Sequence, residues 1–242
     1  MAREAMKAIQ QQPGMQLAEY ALTGPKPKLQ ETGLPTLVGP SEHLTYLRDM
    51  KSQYLDLVIV DYSKGQMEQQ VELYAEVGVP FIYGGTIGDR SAAERIVRES
   101  DVSAVIAPNM SKQLVALTAA LEYISRELSG AFSGYHGHVD EDHQKAKVDP
   151  SGTGLAWMRT MMEWGIDFDD MQSIRDKEYG HAYHDVRLGS PDKSVRIGFY
   201  TRVDGRQTYA DGTPDAVRYL HRKVAKGSRG EVFSMVDVLK GA

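Results

Sequence analysis

LDLVIVDYSKGQMEQQVELYAEVGVPFIYGGTIGDRSAAERIVRESDVSAVIAPNM, residues 55–110, alternates short apolar runs with segments of helical period. Leu57-Val-Ile-Val60 predicts a buried strand, Met67 to Val77 a helix, Val79 to Tyr83 a second strand, Ser91 to Ser100 a helix and Ser103 to Ala107 a third strand. A long helix from Ser111 to Leu128 follows, with Leu114, Leu117, Leu121 and Ile124 along one stripe. Strands alternating with helices at this spacing argue for parallel βαβ units. Ligands of such sheets gather at the carboxyl ends of the strands. Here those ends are Asp61-Tyr62-Ser63, Gly84-Gly85-Thr86-Ile87-Gly88 and Ala107-Pro108-Asn109-Met110. Gly84 and Gly85 would let a cofactor approach the backbone closely; a glycine pair after a strand also serves as a plain turn.

Downstream of Gly130 the rhythm changes. His184 to Leu188, Ser194 to Val203 and Arg206 to Ala210 read as consecutive antiparallel strands, joined by turns at Ser190-Pro-Asp-Lys193 and Asp204-Gly205. Val195, Ile197 and Phe199 alternate with Arg196, Gly198 and Tyr200, which gives a sheet with unlike faces, the second of them open to cover by other subunits. Thr213-Pro214 is read as the N-cap and first residue of a helix through about Val224. Val232 to Leu239 is a short apolar closing segment, and Gly24-Pro-Lys-Pro-Lys28 is a flexible loop. A mixed sheet after βαβ units makes the second part an α+β domain.

Between these parts lies His143-Gln-Lys-Ala-Lys147-Val-Asp-Pro-Ser151-Gly152-Thr153. On a helical turn His143 and Lys147 would share one face, a proton carrier near neutral pH beside a cation. Asp149-Pro150 predicts a turn, and Ser151, Gly152 and Thr153 fall where the apolar period Leu155, Met158, Met162 begins, as cap and first turn. That helix start offers free N–H groups and a positive dipole end to a carboxylate. The stretch reads as a site for a small dicarboxylate; ordinary surface polar residues and a plain cap are the other reading. His136, His138 and Asp140 would share a strand face, followed by Glu141, Asp142 and His143, and such groups can hold zinc or iron. No third ligand with firm spacing accompanies them, so no metal is expected.

Composition bounds the function. The chain has 242 residues, 41% of them hydrophobic, enough for one large or two modest cores. Its net charge of -5 is spread over both signs, without the basic footprint of a nucleic-acid binder. Without cysteine there is no disulfide, thiolate metal site or cysteine nucleophile, and a reducing, cytoplasmic setting is expected. No apolar run approaches the ~20 residues that span a bilayer, and no signal peptide is evident, so no membrane partner is expected.

The chain resembles the 4-hydroxy-tetrahydrodipicolinate reductase family of lysine biosynthesis, in its plant-type branch. The resemblance is carried in order by Val58-Ile-Val-Asp61-Tyr-Ser, Val79-Pro-Phe-Ile-Tyr-Gly84-Gly-Thr86, Ala107-Pro-Asn-Met110, Gly130-Ala-Phe-Ser-Gly-Tyr135, His143-Gln-x-x-Lys147-x-Asp149 with Ser151-Gly-Thr153, Gly180-His-Ala-Tyr-His184, Gly205-Arg206, Tyr209-Ala-x-Gly212-Thr213 and Phe233-Ser-Met-x-Asp237-Val-Leu239. It implies an oxidoreductase of the diaminopimelate pathway that uses NADPH or NADH. It implies an α/β fold: a Rossmann-like parallel sheet domain over 1–110 and 222–242, and an α+β domain with a mixed sheet over 111–221 that binds substrate and forms a homotetramer.

By match, His143 is the proton donor or acceptor and Lys147 the second acid. Gln144 contacts substrate, Ser151, Gly152 and Thr153 bind a carboxylate, and Arg206 is a further carboxylate partner or a surface salt bridge. Gly84, Gly85, Thr86, Ala107, Pro108, Asn109 and Met110 line the nicotinamide half of the cofactor. Gly85 and Ile87 stand where the family more often has threonine and glycine. The family opens with a strand and a GxxGxMG phosphate loop, and Met1-Ala-Arg-Glu4 falls at the methionine of that loop, so the first strand is expected to be missing. Either translation was assigned from an internal methionine, or the loop is lost and the chain is a non-redox relative that binds or cyclises a dicarboxylate or imine. Leu22-Thr-Gly-Pro25 carries no clear ribose reader, which leaves NADH and NADPH both open, and a plant source would place the protein in the plastid stroma.

Overall fold

The computed structural model describes residues 1–24 and 35–241. The Pro25-Lys-Pro-Lys28 part of the loop read from sequence, and with it the end of the Leu22–Pro25 segment, lies outside the described residues. The chain forms two compact units, Met1–Lys112 with Tyr209–Ala242, and Gln113–Thr208.

In chain order the elements are α1 (Ala2–Gln10), β1 (Tyr20–Leu22), β2 (Thr36–Val38), α2 (His43–Gln53), β3 (Ile59–Asp61), α3 (Met67–Val77), β4 (Phe81–Tyr83), α4 (Arg90–Arg98), β5 (Ala104–Ile106), α5 (Lys112–Glu127), β6 (His136–His143), α6 (Gly152–Met162), β7 (Asp167–Phe168), β8 (Gln172–Ile174), β9 (His181–Gly189), β10 (Arg196–Asp204), α7 (Gln207–Asp211), α8 (Thr213–Ala225), β11 (Val232–Phe233) and α9 (Met235–Lys240).

In the first unit β11, β5, β4 and β3 form a parallel sheet in that order, and β1 pairs with β2 in a separate parallel pair. Phe81, Ile82, Tyr83, Ala104 and Val105 are fully buried, with Val71 of α3 and Val97 of α4 packed in the same core. Each large apolar side chain so buried contributes about 1.5–3 kcal/mol. The helix α3 stops where its sequence predicts, because Gly78 takes φ 74 and returns its N–H to Tyr74 and Ala75.

The second unit holds a mixed sheet of order β10-β9-β6-β7, with β8 also paired to β6. The β6–β9 and β9–β10 pairs are antiparallel, the β6–β7 and β6–β8 pairs parallel. Along β6 the residues Gly137, Val139, Glu141 and His143 are buried, alternating with the more open His138, Asp140 and Asp142. On the buried side Trp157 and Met161 of α6 fill the core, and Trp157 Nε1 donates to Thr118 Oγ1 of α5 at 2.8 Å.

Three local expectations are corrected. His143 and Lys147 do not share a helical turn: His143 is the last residue of β6, and a tight turn follows in which Lys147 N–H donates to Gln144 O at 2.9 Å. Arg206 to Ala210 is not a strand, because Gly205 at φ 72 turns the chain out of the sheet and α7 begins at Gln207. At α8 the N-cap is Gly212 rather than Thr213; a Cβ at Gly212 would lie 2.1 Å from Met110 O, while the Thr213 hydroxyl is engaged by Tyr62 at 2.6 Å. The return to the first unit falls at Tyr209 rather than 222, since α8 packs on β4, β5 and α1.

Candidate active site

At the carboxyl end of β6 the two-residue repeat of a strand puts Glu141 and His143 on one buried face. Glu141 is wholly inaccessible, yet both its oxygens are satisfied. Oε1 accepts from Ser173 Oγ and Arg175 Nη2, each at 2.5 Å. Oε2 accepts from Arg175 Nη1 at 3.0 Å and from His143 Nδ1 at 2.5 Å. Burial pushes the Glu141 carboxyl up, but the hydrogen bonds from Arg175, Ser173 and His143 outweigh it and hold the carboxyl below its usual range. An ionised carboxylate only accepts, so His143 carries its proton on Nδ1 and presents Nε2. Burial lowers the pKa of His143, opposed by Glu141 and assisted by the charges of Lys147 and Arg175.

The loop after His143 is tied to the same group. Arg175 Nε donates to Lys147 O at 2.9 Å and Nη2 to Asp149 O at 3.2 Å, while Lys147 Nζ donates to Asp149 O at 2.6 Å and Pro150 O at 3.2 Å. Gln144 is half-buried at the start of this turn. Ser151 caps α6 by accepting from Gly154 N at 3.2 Å, and its hydroxyl meets His184 Nε2 at 2.7 Å. Among the described residues nothing accepts from the amides of Gly152 and Thr153, and a Cβ at Gly152 would meet open space. A helix start with two free amides suits an anion. Arg206 is exposed on the bend after β10; the register His143↔Ala182↔Val203 puts that bend at the His143 end of the sheet.

The sequence reading missed Glu141 as a partner of His143, and missed Arg175, Ser173 and His184. The i, i+2 spacing of Glu141 and His143 was the available signal. His184 is buried between Trp157, ring centroids 5.2 Å apart, and His143, at 5.5 Å.

The other expected residues lie in the first unit. Gly84, Gly85, Thr86, Pro108 and Met110 line a cavity of about 320 Å³ at the carboxyl ends of the parallel strands, together with Tyr62, Ser63, Lys64 and Tyr209. Ala107 continues β5 by donating to Tyr83 O at 2.9 Å, and Asn109 Oδ1 accepts from Ser111 N at 2.9 Å. Both glycines are demanded by neighbours: a Cβ at Gly84 would lie 2.3 Å from the Tyr62 ring and one at Gly85 2.6 Å from the Tyr83 ring. The supposed metal face is otherwise engaged, with His136 on Asp169 at 3.1 Å and His138 on Asp140 at 2.8 Å. Among the described residues no three histidine or carboxylate groups converge on a metal position.

The family described as dihydrodipicolinate reductase, C-terminus, matches residues 114–239. The chain is 40% identical to 4-hydroxy-tetrahydrodipicolinate reductase 2, chloroplastic, of Arabidopsis thaliana, over 84% of this chain and 62% of that protein. It is 39% identical to a probable 4-hydroxy-tetrahydrodipicolinate reductase 2, chloroplastic, of Oryza sativa subsp. japonica, over 84% of this chain and 68% of that one. The chain thus spans less than two thirds of the Arabidopsis relative's length. Its fold is similar to that of the dipicolinate-bound dihydrodipicolinate reductase from Paenisporosarcina sp. TG-14, with a TM-score of 0.69 at 14% identity over 96% of this chain and 92% of the other.

Proposed function

Because the chain belongs to the dihydrodipicolinate reductase family, we propose that it reduces 4-hydroxy-tetrahydrodipicolinate to tetrahydrodipicolinate in lysine biosynthesis by the diaminopimelate route. In this reading the substrate loses water, and the conjugated ring then takes a hydride at one carbon and a proton at the neighbouring carbon. The observation that carries it is a buried His143 held by Glu141, with Arg175 tying the chain that runs from His143 to the α6 start to the same carboxylate.

His143 delivers the proton from its outward nitrogen. Lys147 acts as the second acid and stabilises negative charge as it develops. Gly152 and Thr153 N–H groups hold one ring carboxylate, with the Ser151 cap keeping the helix start in place, and Gln144 and Arg206 make further substrate contacts. The dipicolinate named with the Paenisporosarcina enzyme is a dicarboxylate of the same kind. In the first unit, the cavity at the strand ends has the size that suits the nicotinamide half of NADPH or NADH, lined by Gly84, Gly85, Thr86, Pro108 and Met110, with Ala107 and Asn109 carrying the chain past it. The reduced nicotinamide, when bound, supplies the hydride. The second unit is the oligomerising one, and the working form is a homotetramer of the cytoplasm, or of the plastid stroma if the source is a plant.

The test is NADPH and NADH consumption by this chain with substrate made fresh in a coupled synthase reaction. Turnover that disappears in His143→Ala supports the reading. Folded protein that oxidises neither nicotinamide overturns it.

A further inference from the structure

We propose that Glu141 is a positioning residue for the reaction, and that Arg175 couples it to the loop that carries Lys147 and the α6 start. This rests on the reductase reading above. Glu141 touches neither of the proposed ligand-binding surfaces, since it is fully buried with every oxygen position taken by Ser173, Arg175 and His143. What it can do is act through His143. The two residues project from one face of the same strand, so the backbone sets their separation. With the carboxylate held ionised by a two-pronged guanidinium, the imidazole has one neutral tautomer available, protonated at Nδ1. An acid group holding an imidazole in one tautomer and stabilising its protonated form is the logic of serine-hydrolase triads, transferred here to proton delivery onto carbon.

Arg175 adds a second function. The guanidinium that satisfies Glu141 also donates to Lys147 O and Asp149 O. The proton donor, the second acid and the chain leading into Ser151 are thereby referred to one buried pair. A turn of ordinary loop residues would otherwise carry Lys147. The charged or titratable groups around His143 are Glu141, Lys147, Arg175 and His184, the last with its ring centroid 5.5 Å from that of His143. Glu141 is the anion among them, so its neutralisation must make protonated His143 a stronger acid.

The experiment uses the whole chain labelled with nitrogen-15 at histidine. Two-bond proton–nitrogen NMR spectra report the tautomer, and His143→Asn identifies the His143 signals. In the wild type neutral His143 is expected protonated at Nδ1. In Glu141→Gln its titration is expected at lower pH. Turnover should fall by roughly 10²-fold, with KM held within about threefold, and the alkaline limb of the kcat profile should move to lower pH. A wild-type His143 protonated at Nε2 overturns the proposal. So does a Glu141→Gln variant that loses stability but keeps both the His143 titration and the alkaline limb, since that marks a salt bridge of structure alone. If Glu141→Gln does not fold, Ser173→Ala removes one donor and retains the charge. It should then raise the His143 titration as Glu141 becomes the stronger acceptor, and no movement overturns the proposal. Absence of wild-type turnover would sink the reductase reading instead, while the NMR result still decides the role of Glu141.

Discussion

His184 remains neutral down to about pH 4, chiefly because it is buried and secondarily because His143 lies beside it. Its two nitrogens are committed to Ser151 Oγ at 2.7 Å and Thr201 Oγ1 at 3.2 Å. In the unfolded chain the same ring protonates near its ordinary 6.5. Between those values the unfolded state binds the extra proton, so stability is full above about pH 6.5 and is lost as pH falls toward 4, by on the order of 3 kcal/mol. His143 is shifted in the same direction and adds to the loss. Carboxylates such as Glu141 and Asp142, whose pKa values are lowered, add their loss only from their ordinary 4.5 and 3.8 downward, as pH falls through their folded values. Urea unfolding from pH 7 to 4 should therefore show a slope that shrinks in His184→Gln; an unchanged slope would remove His184 from the account. Gly85 is held to a glycine by the ring beside it. Replacing it by threonine would drive a Cβ to 2.6 Å from the buried Tyr83 ring. Gly85→Thr should cost about 1–3 kcal/mol in chemical unfolding, unless Tyr83 is shortened to leucine in the same chain.

Among the elements, helix limits are set by local pattern. The limits of α3 follow from an apolar period closed by Gly78, and the start of α6 from Ser151 before Leu155. The i, i+4 spacing of His143 and Lys147 fits a helical turn, yet the strand that pairs His143 with Ala182 runs through His143 itself. Arg206 to Ala210 looked like a strand by composition, but a strand needs a partner and Gly205 leads the chain away from β9. Arg175 was invisible for a different reason: it lies 34 residues from Glu141 and meets it through the β6–β8 pairing, a relation that no local pattern encodes. Thus His143, the Ser151 cap and the open start of α6 are legible in the sequence, and the groups that hydrogen-bond around them are not. The cap itself is testable. Ser151→Ala removes the acceptor of Gly154 N–H and the partner of His184 together, so a loss of ~1–2 kcal/mol is expected in thermal or chemical unfolding. If α6 holds a substrate carboxylate, KM should rise several-fold with kcat falling less; an unaltered KM would place the carboxylate elsewhere.

At the scale of the whole molecule, the alternation of unlike faces along β10 becomes an argument about assembly. Thr201 and Phe199 turn toward the core, where Phe199 meets Trp157 at 5.5 Å. On the other face Tyr200 is 72% exposed, an expensive position for an aromatic ring unless something covers it. Its neighbours are organised around it: Arg202 stacks 5.3 Å from the Tyr200 ring and 5.1 Å from Tyr183, and pairs with Asp185 at 2.6 Å. The strand β10 is also an edge, nine residues long and unpaired on its outer side among the described residues, the kind of edge that monomeric proteins protect with bulges or prolines. Neither device interrupts β10. Covering such a face with a second mixed sheet, and repeating that by symmetry, gives the closed assembly proposed above. Sedimentation equilibrium should then find four chains per particle, and Tyr200→Glu, which adds a charge to the middle of the face without touching the core side, should shift the mass toward that of one chain. A wild-type mass of one chain would mean that the exposed ring serves another purpose. A variant that stays at four chains would move the interface off this face of the sheet.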